Sequence, residues 1–382
     1  MNGNELKERI STTAFALRGY NVTNTGRNKE LLEHRAYGPI VERVLKESSE
    51  ACSDIMKQEV DLAERVRAEK PADLESFGVE VAMIIAMELA QLKLLEEFFN
   101  ISFKKAPMMF GYSVGEASAL VAGEVFTLKQ ILKPLTILAD ECAELAQDVT
   151  MGVLFSRPDA LDIEKVESLC VHISSQGQGM IAMSAQLSPN TVLLLGQGST
   201  IDRFKQAIPG HFKGKVLLRE NPDKWPPIHT PLMWNKNITN RAALELHNIG
   251  GGFKEPTPPI LSLVTGGVSY NDYNAREHLV NWLDHPQLLW EVISEMLAEG
   301  IETVIHVGPQ PNLIPATFKR LSNNVTNQLE GSSIKSFGLR AISAMSRRSW
   351  MRPLMTQQSA LLRAPYIEHV ILEDWLLDQN GA

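Results

Sequence analysis

The sequence predicts an α/β fold in which a mostly parallel sheet carries helices on both faces and a smaller α+β unit is inserted. Three observations predict it. Short apolar runs that read as strands, at 13–20, 108–112, 259–265 and 302–307, alternate with longer amphipathic or apolar stretches that read as helices, the alternation of a parallel sheet. Between about 150 and 217 the order changes to strand, helix, strand, strand, helix, strand, the split βαβ of a ferredoxin-like unit. A glycine-flanked serine, Gly111-Tyr-Ser-Val-Gly115, stands between a predicted strand and a predicted helix.

Composition narrows the class. With 44% hydrophobic and 21% charged residues over 382 positions, the chain has ample material for a core. A net charge of −8 leaves no basic surplus to neutralise phosphates, which argues against nucleic acid. Cys52, Cys142 and Cys170 are scattered, with no C-x-x-C, so neither a disulfide framework nor a cysteine zinc site is indicated. No H-E-x-x-H or clustered metal ligands occur. The charged N-terminus lacks an apolar signal core, and the apolar run Val81–Met87 stops at Glu88, far short of a membrane span. The expectation is a cytoplasmic protein with no transmembrane segment.

Taken in order, Thr13 to Tyr20 reads as an apolar strand ending in a glycine turn. The pattern from Gly38 to Lys70 is helical, with Ile40, Val41, Val44 and Leu45 at helical spacing. Residues 73–98 form a long apolar helix suited to burial against the sheet. Met108 to Tyr112 is a buried strand, and a helix follows from about Gly115. The next helix, from Leu128, contains Pro134 and is expected to kink or split there. After the inserted unit the chain returns through Pro226-Pro-Ile-His-Thr-Pro-Leu-Met233, helix 236–245, strand 259–265, helix 285–298, strand 302–307 and helix 312–321. The domain reading is a discontinuous core of 1–149 with 218–330, a small subdomain of 150–217, and a tail of 331–382. Arg340, Arg347, Arg348, Arg352 and Arg363 lie among apolar residues of that tail, which reads as basic amphipathic helices.

Gly111, Ser113 and Gly115 form G-x-S-x-G, the nucleophile elbow of hydrolase-like folds. The turn is so tight that its flanking positions must lack bulk, and the hydroxyl is presented at a helix N-terminus. Free N–H groups and the helix dipole then face the negative charge that develops there. A serine nucleophile needs a base within hydrogen-bond reach and a group orienting that base. Nine histidines compete. His34, His247, His278, His285 and His369 lie on charged or helical stretches, His172 and His211 in the small unit. His306 ends an apolar strand, and an acid-before-histidine order would pair it with Asp284. His229 occupies a loop held rigid by Pro226, Pro227 and Pro231. The residues alone leave His229 and His306 level.

Gly111-Tyr-Ser-Val-Gly-Glu116, the ferredoxin-like insertion, Ile228-His-Thr-Pro-Leu-Met233 and Val307-Gly-Pro-Gln-Pro-Asn-Leu313 resemble, in this order, the malonyl-CoA:acyl carrier protein transacylases and the acyltransferase domains of fatty acid and polyketide synthases. The resemblance covers about 13–322. It implies His229 as base and returns His306 to the core. It further implies a ping-pong transfer from acyl-CoA to the phosphopantetheine thiol of an acyl carrier protein through acyl-Ser113, with no bound cofactor or metal. The oxyanion would be held by the N–H of Val114 and a second N–H at Tyr20. The imidazole would be oriented by a backbone carbonyl, matched to Leu263.

Departures from the family pattern shape the expected substrate. The first loop is Gly19-Tyr-Asn-Val-Thr23 where the family has G-Q-G-S-Q, and Tyr112 stands where a histidine is usual. Leu138 aligns with the arginine that pairs with the malonyl carboxylate, so a neutral acyl group is expected unless another cation such as Lys133 reaches in. Ile228, in the tripeptide before His229, is a further pocket residue. Two alternatives share the fold: an acyl-carrier-protein thioester hydrolase, and a weakly catalytic docking subunit. Lys104, Lys105, Lys213, Lys215 and Arg219 are candidate contacts to an acidic carrier protein, and the tail is a candidate contact to a synthase partner.

Overall fold

The structure, a computed structural model, describes residues 1–157, 159–330, 338–340, 342–343 and 357–379. Among the described residues, ten strands form two sheets. The larger sheet contains β1 (Thr13–Leu17), β2 (Met108–Gly111), β7 (Ile260–Ser262), β8 (Gly267–Val268), β9 (Thr303–Val307) and β10 (Glu368–Ile371), in the order β10-β9-β1-β2-β7-β8. Every pairing is parallel except the short β7–β8 edge. All five residues of β1 are buried, as a central strand covered on both faces requires. Phe15 and Leu17 face one core with Met109, Ile305 and the helices Gly38–Met56 and Phe77–Phe99. Ala14 and Ala16 face another with Phe110, Val304 and the helix Leu289–Ala298.

Helix Phe77–Phe99 is apolar almost all round, and its buried polar residues work as ties. The Glu88 Oε1 accepts from Arg18 N at 2.7 Å, and the Gln91 Oε1 accepts from Gly308 N at 2.8 Å. Both bonds fall just beyond the C-terminal ends of β1 and β9, so this helix sets the rim on which the functional loops rest.

The smaller sheet is antiparallel, with order β4-β5-β3-β6 from β3 (Val149–Arg157), β4 (Ile181–Ser188), β5 (Thr191–Gln197) and β6 (Lys215–Asn221). Helices Ile163–Ser174 and Thr200–His211 pack on one face around Leu154, Val166, Ile173 and Phe204. Leu187 and Leu193 point the other way and join the core of the larger sheet. The helix-bearing face has its own core, and the opposite face is apolar because it covers the neighbouring body.

Three expectations are corrected. Pro134 remains inside the helix Leu128–Ile137; the break falls at Leu138, whose φ of −103° and ψ of 0° separate it from the helix Ala139–Ala146. The stretch expected as one helix over 285–298 begins only at Leu289, because Pro286 holds His285 in an extended conformation and ends the preceding helix, Ala275–Asp284.

The third concerns the C-terminal segment, which is no separate helical tail where it is described. β10 pairs in register with β9 and completes the sheet edge, and the helix Leu372–Asp378 buries Leu372, Trp375 and Leu376 against the main core. The arginines dominate the look of this sequence, but Arg363 is buried and donates to the carbonyls of Leu297 and Ile301 at 2.5 and 3.0 Å. Arg347, Arg348 and Arg352 lie outside the described residues.

Candidate active site

Ser113 links β2 to the helix Val114–Ala122 with φ 54° and ψ −119°. Such a left-handed conformation in a serine costs on the order of 1–3 kcal/mol and persists only where the surroundings impose it. The surroundings are the two glycines. A Cβ on Gly111 would lie 2.0 Å from the Gly115 carbonyl carbon, and one on Gly115 would lie 2.4 Å from the Leu17 oxygen. Neither position admits any other residue. The adjoining Glu116 is buried and accepts from Leu263 N at 3.1 Å and from the Tyr270 hydroxyl at 2.7 Å, which ties the elbow helix to the end of β7. Burial pushes this carboxyl up to about 7.

His229 is brought to the serine by the proline loop. Its φ is 69°, its N–H donates to Leu283 O at 2.7 Å, and the Thr230 hydroxyl donates to Pro227 O at 2.6 Å. The Nδ1 lies 2.6 Å from Trp282 O, an acceptor only, so Nδ1 carries the proton. The Nε2 lone pair is therefore free to accept from the Ser113 hydroxyl, 2.7 Å away. Burial pushes the imidazole down to about 4, with the Trp282 carbonyl opposing that shift.

The carbonyl that orients the base is thus Trp282, not Leu263 as expected. Leu263 O is occupied by Leu288 N at 2.7 Å. Helix Ala275–Asp284 ends beside the imidazole and presents the carbonyl of its last turn, which no intrahelical N–H claims. Trp282 also donates its indole N–H to Ser113 O at 3.0 Å, so one residue braces both members of the pair.

A second contributor, Gln287, drew no notice in the sequence. It is fully buried, and its Oε1 accepts from Ser113 N at 3.1 Å. Its backbone exchanges two bonds with β4, from Gln287 N to Ser184 O and from Gln186 N to Gln287 O, both 2.9 Å. The smaller sheet is in this way joined to the elbow. A lone glutamine after Pro286 was the available signal, but nothing local marks it as facing Ser113.

His306 is not part of this arrangement. It lies within β9, with its Nε2 3.0 Å from His369 Nδ1, and Asp284 is engaged by His285 Nδ1 at 2.6 Å and by the Trp234 indole at 3.0 Å. The Asp284–His306 pairing therefore does not exist.

Ser113, Val114 and His229 open into a cleft of about 370 Å³ between the two sheets, a volume typical of small-molecule sites. Met151, Val153 and Leu195 wall it from the smaller sheet and Leu313 to Ala316 from the larger body, with Arg320 at the exposed edge. Tyr20 lines it as well, its ring edge-on to Phe77 at 4.9 Å and to Trp225 at 6.1 Å. The first loop rests directly on the elbow, since a Cβ on Gly19 would come within 2.7 Å of Tyr112 O. Tyr20 and Val114 thus border one cleft from two loops. Arg18, buried in the same wall, is spent on the protein: it donates to Gly19 O at 2.7 Å, to Asn24 Oδ1 at 2.8 Å and to Pro309 O. Burial pushes it down to about 10 despite nearby Glu88.

Leu138 does not reach this cleft. It lines a side cavity of about 20 Å³ that shares Phe77, Val114 and Ile228 with the cleft and is also lined by Val81, Trp282 and Leu283. Lys133 does not reach in; it pairs with Glu245 at 2.8 Å. Lys104 and Lys105 precede β2, at the end of that strand opposite Ser113, and Lys104 is paired with Glu124. Lys215 and Arg219 are exposed on the free edge of β6, whose last residue, Asn221, lines the cleft. Among the described residues no cluster of His, Cys, Asp or Glu is placed to hold a metal ion, and no helix is long and apolar enough to cross a membrane.

A strained serine on an elbow, a histidine held by a backbone carbonyl and an inserted antiparallel unit over the cleft define an α/β fold with a serine–histidine pair at its cleft. The chain is similar to malonyl-CoA:acyl carrier protein transacylases in both sequence and fold. No family model matches it. It is 23% identical over 297 residues to a malonyl-CoA–acyl carrier protein transacylase of Bacillus subtilis, covering 75% of this chain and 66% of that one. It is 27% identical over 225 residues to the Escherichia coli K12 protein of the same name, covering 58% and 68%. Among solved structures, the transacylase of Clostridium perfringens superposes with a TM-score of 0.66 at 19% identity, covering 82% of this chain and 90% of that one. A malonyl-transacylase solved in complex with a type II polyketide synthase acyl carrier protein gives 0.63 at 22% identity, covering 80% and 92%.

Proposed function

We propose that the protein transfers an acyl group from acyl-CoA to the phosphopantetheine thiol of an acyl carrier protein, with Ser113 as nucleophile and His229 as general base. The observation that carries this is the 2.7 Å contact between Ser113 Oγ and His229 Nε2 at the floor of an open cleft. The family relationship supports the donor and acceptor, and the solved relative in complex with a carrier protein supports the partner.

In the first half-reaction Oγ attacks the thioester carbonyl as Nε2 takes its proton. The tetrahedral oxyanion is held by the Val114 N–H at the helix N-terminus, with Tyr20 N–H as the second donor. The C–S bond breaks, His229 returns the proton to the departing thiolate, and Ser113 is left as an ester. The carrier-protein thiol then attacks that ester, losing its proton to Nε2. Serine leaves and regains a proton from the imidazole. A carbonyl partner fixes the tautomer without a buried carboxylate, and the burial that lowers the imidazole pKa keeps Nε2 unprotonated in mildly acidic conditions.

The acyl group is neutral on this reading. Phe77, Val81, Val114, Leu138 and Ile228 surround the side cavity, and a carboxylate there would be buried with no cation to pair it. On this reading the enzyme works in the cytoplasm.

Intact-protein mass after incubation with acetyl-CoA and malonyl-CoA tests the reading. An acetyl adduct that Ser113→Ala loses is expected; a malonyl adduct of equal yield would overturn the neutral assignment. Free acid released without carrier protein would instead identify a hydrolase.

A further inference from the structure

The two cavities adjoin beside Ser113, sharing Phe77, Val114 and Ile228. Of the two, only the small cavity is also walled by Leu138 and Trp282, while Ser113 and His229 line the large one. A ping-pong transfer demands two compartments. The pantetheine arm of the donor leaves through the open cleft, and the arm of the acceptor must enter the same cleft while the acyl group is still attached to Ser113. The acyl group therefore has to lie outside the space that both arms use.

We propose that the small side cavity is the acyl site and that it admits a short, straight, uncharged acyl group of acetyl to propionyl size, with Phe77 and Leu138 setting the limit. The inference rests on the acylation of Ser113 proposed above and adds the dimension of the group. A cavity of about 20 Å³ holds about one water- or methyl-sized group. Its far wall cannot yield to more. Trp282 is 1% exposed, its indole holds Ser113 O and its carbonyl holds His229 Nδ1, so displacing it would release the base. Val114 is the first residue of the elbow helix and equally confined. Each added methylene must push Phe77, Leu138 or Ile228 aside, and overfilling a packed wall is unfavourable. Leu138 occupies the break between two helices, so its backbone is set by both and its side chain is turned inward, 3% exposed.

Acylation of the full chain by straight-chain acyl-CoAs of two, three, four, six and eight carbons, followed by intact mass over time, tests this. Acetyl and propionyl are expected to acylate fastest, with hexanoyl at least tenfold slower. Leu138→Ala is expected to raise the hexanoyl-to-acetyl ratio at least tenfold. Phe77→Leu, a smaller change that guards against loss of folding in the first variant, is expected to move the ratio the same way. Octanoyl acylating the wild type as fast as acetyl would overturn the size limit while leaving the nucleophile intact. So would both variants slowing every donor equally. No adduct from any chain length on folded protein would remove the acyl-enzyme itself, and this proposal with it.

Discussion

His229 and His306 look alike in burial and in the direction of their pKa shifts. Both are buried near the C-terminal edge of the parallel sheet, 4% and 0% exposed, and burial pushes their imidazoles down to about 4 and about 3. Yet one faces a serine across a cleft and the other a histidine on the neighbouring strand. His306 is held in β9 with regular pairing on both sides, whereas His229 sits at positive φ on a proline-bounded loop and depends on Trp282 and Leu283 for its position. Burial and a lowered pKa mark a histidine that must stay neutral. Only the direction of its free lone pair separates a base from a packing residue.

The largest expected difference is in chemistry. His229→Ala should lower the rate of Ser113 acylation by about 10³-fold, while His306→Leu should leave it within about threefold. Single-turnover mass kinetics would show this, and equal losses in the two variants would erase the distinction. Gln287 extends the catalytic side of the comparison. Gln287→Leu leaves the Ser113 N–H without an acceptor, a buried donor worth about 1–3 kcal/mol; the expected result is a fall of about tenfold in kcat with KM unchanged. A rise in KM alone would show that Gln287 serves the cleft and not the elbow.

Acidification sharpens the same pair differently. As the base, His229 should give an acid limb for acylation near pH 4; a limb near 6.5 would mean an imidazole in contact with water. For stability both histidines act in the same direction. Their folded pKa values lie below the ordinary 6.5, so between about pH 6.5 and 4 the unfolded chain takes up protons that the folded chain refuses. Stability is then fully present above pH 6.5 and falls by about 1.4 kcal/mol per pH unit per group on acidification. Urea unfolding at pH 7 and pH 5 measures it, and His306→Leu should flatten the slope without moving the acid limb of the rate.

A smaller effect is expected beside β10. Arg363→Ala strands the buried carbonyls of Leu297 and Ile301, and should lower unfolding free energy by about 2 kcal/mol with acylation unchanged. The smallest is at the far end of the sheet. Lys104→Glu with Lys105→Glu should alter transfer to carrier protein by less than about twofold, because both residues lie at the opposite end of β2 from Ser113 and an exposed ion pair contributes about 0–1 kcal/mol. A larger loss would place carrier-protein contact far from the cleft.

What could be read from the chain alone was whatever its neighbours in sequence dictate. The elbow is legible because Gly111 and Gly115 lie two residues either side of Ser113, and the clash that excludes a side chain at Gly111 arises within that one turn, although the one at Gly115 is with Leu17 at the end of β1. The central strands are legible because a strand covered on both faces must be apolar throughout, and the ferredoxin-like unit because its order of elements is local. The family resemblance then selected His229. The tertiary structure decided the rest, since each item depends on groups distant in sequence. Leu263 lies in the predicted strand, but its carbonyl is taken by Leu288, and the carbonyl of Trp282 is available because His285–Pro286 ends a helix beside His229. β10 reads as part of a basic tail until Val370 and Trp375 find the apolar surface left open beside β9. Leu138 aligns with a residue that meets substrate, but only the packing of Phe77, Ile228 and Trp282 around it determines how much room a substrate has. Turns and strands are written in short-range sterics and hydrophobic pattern. Orientation of a base and the volume of a pocket arise where remote segments meet.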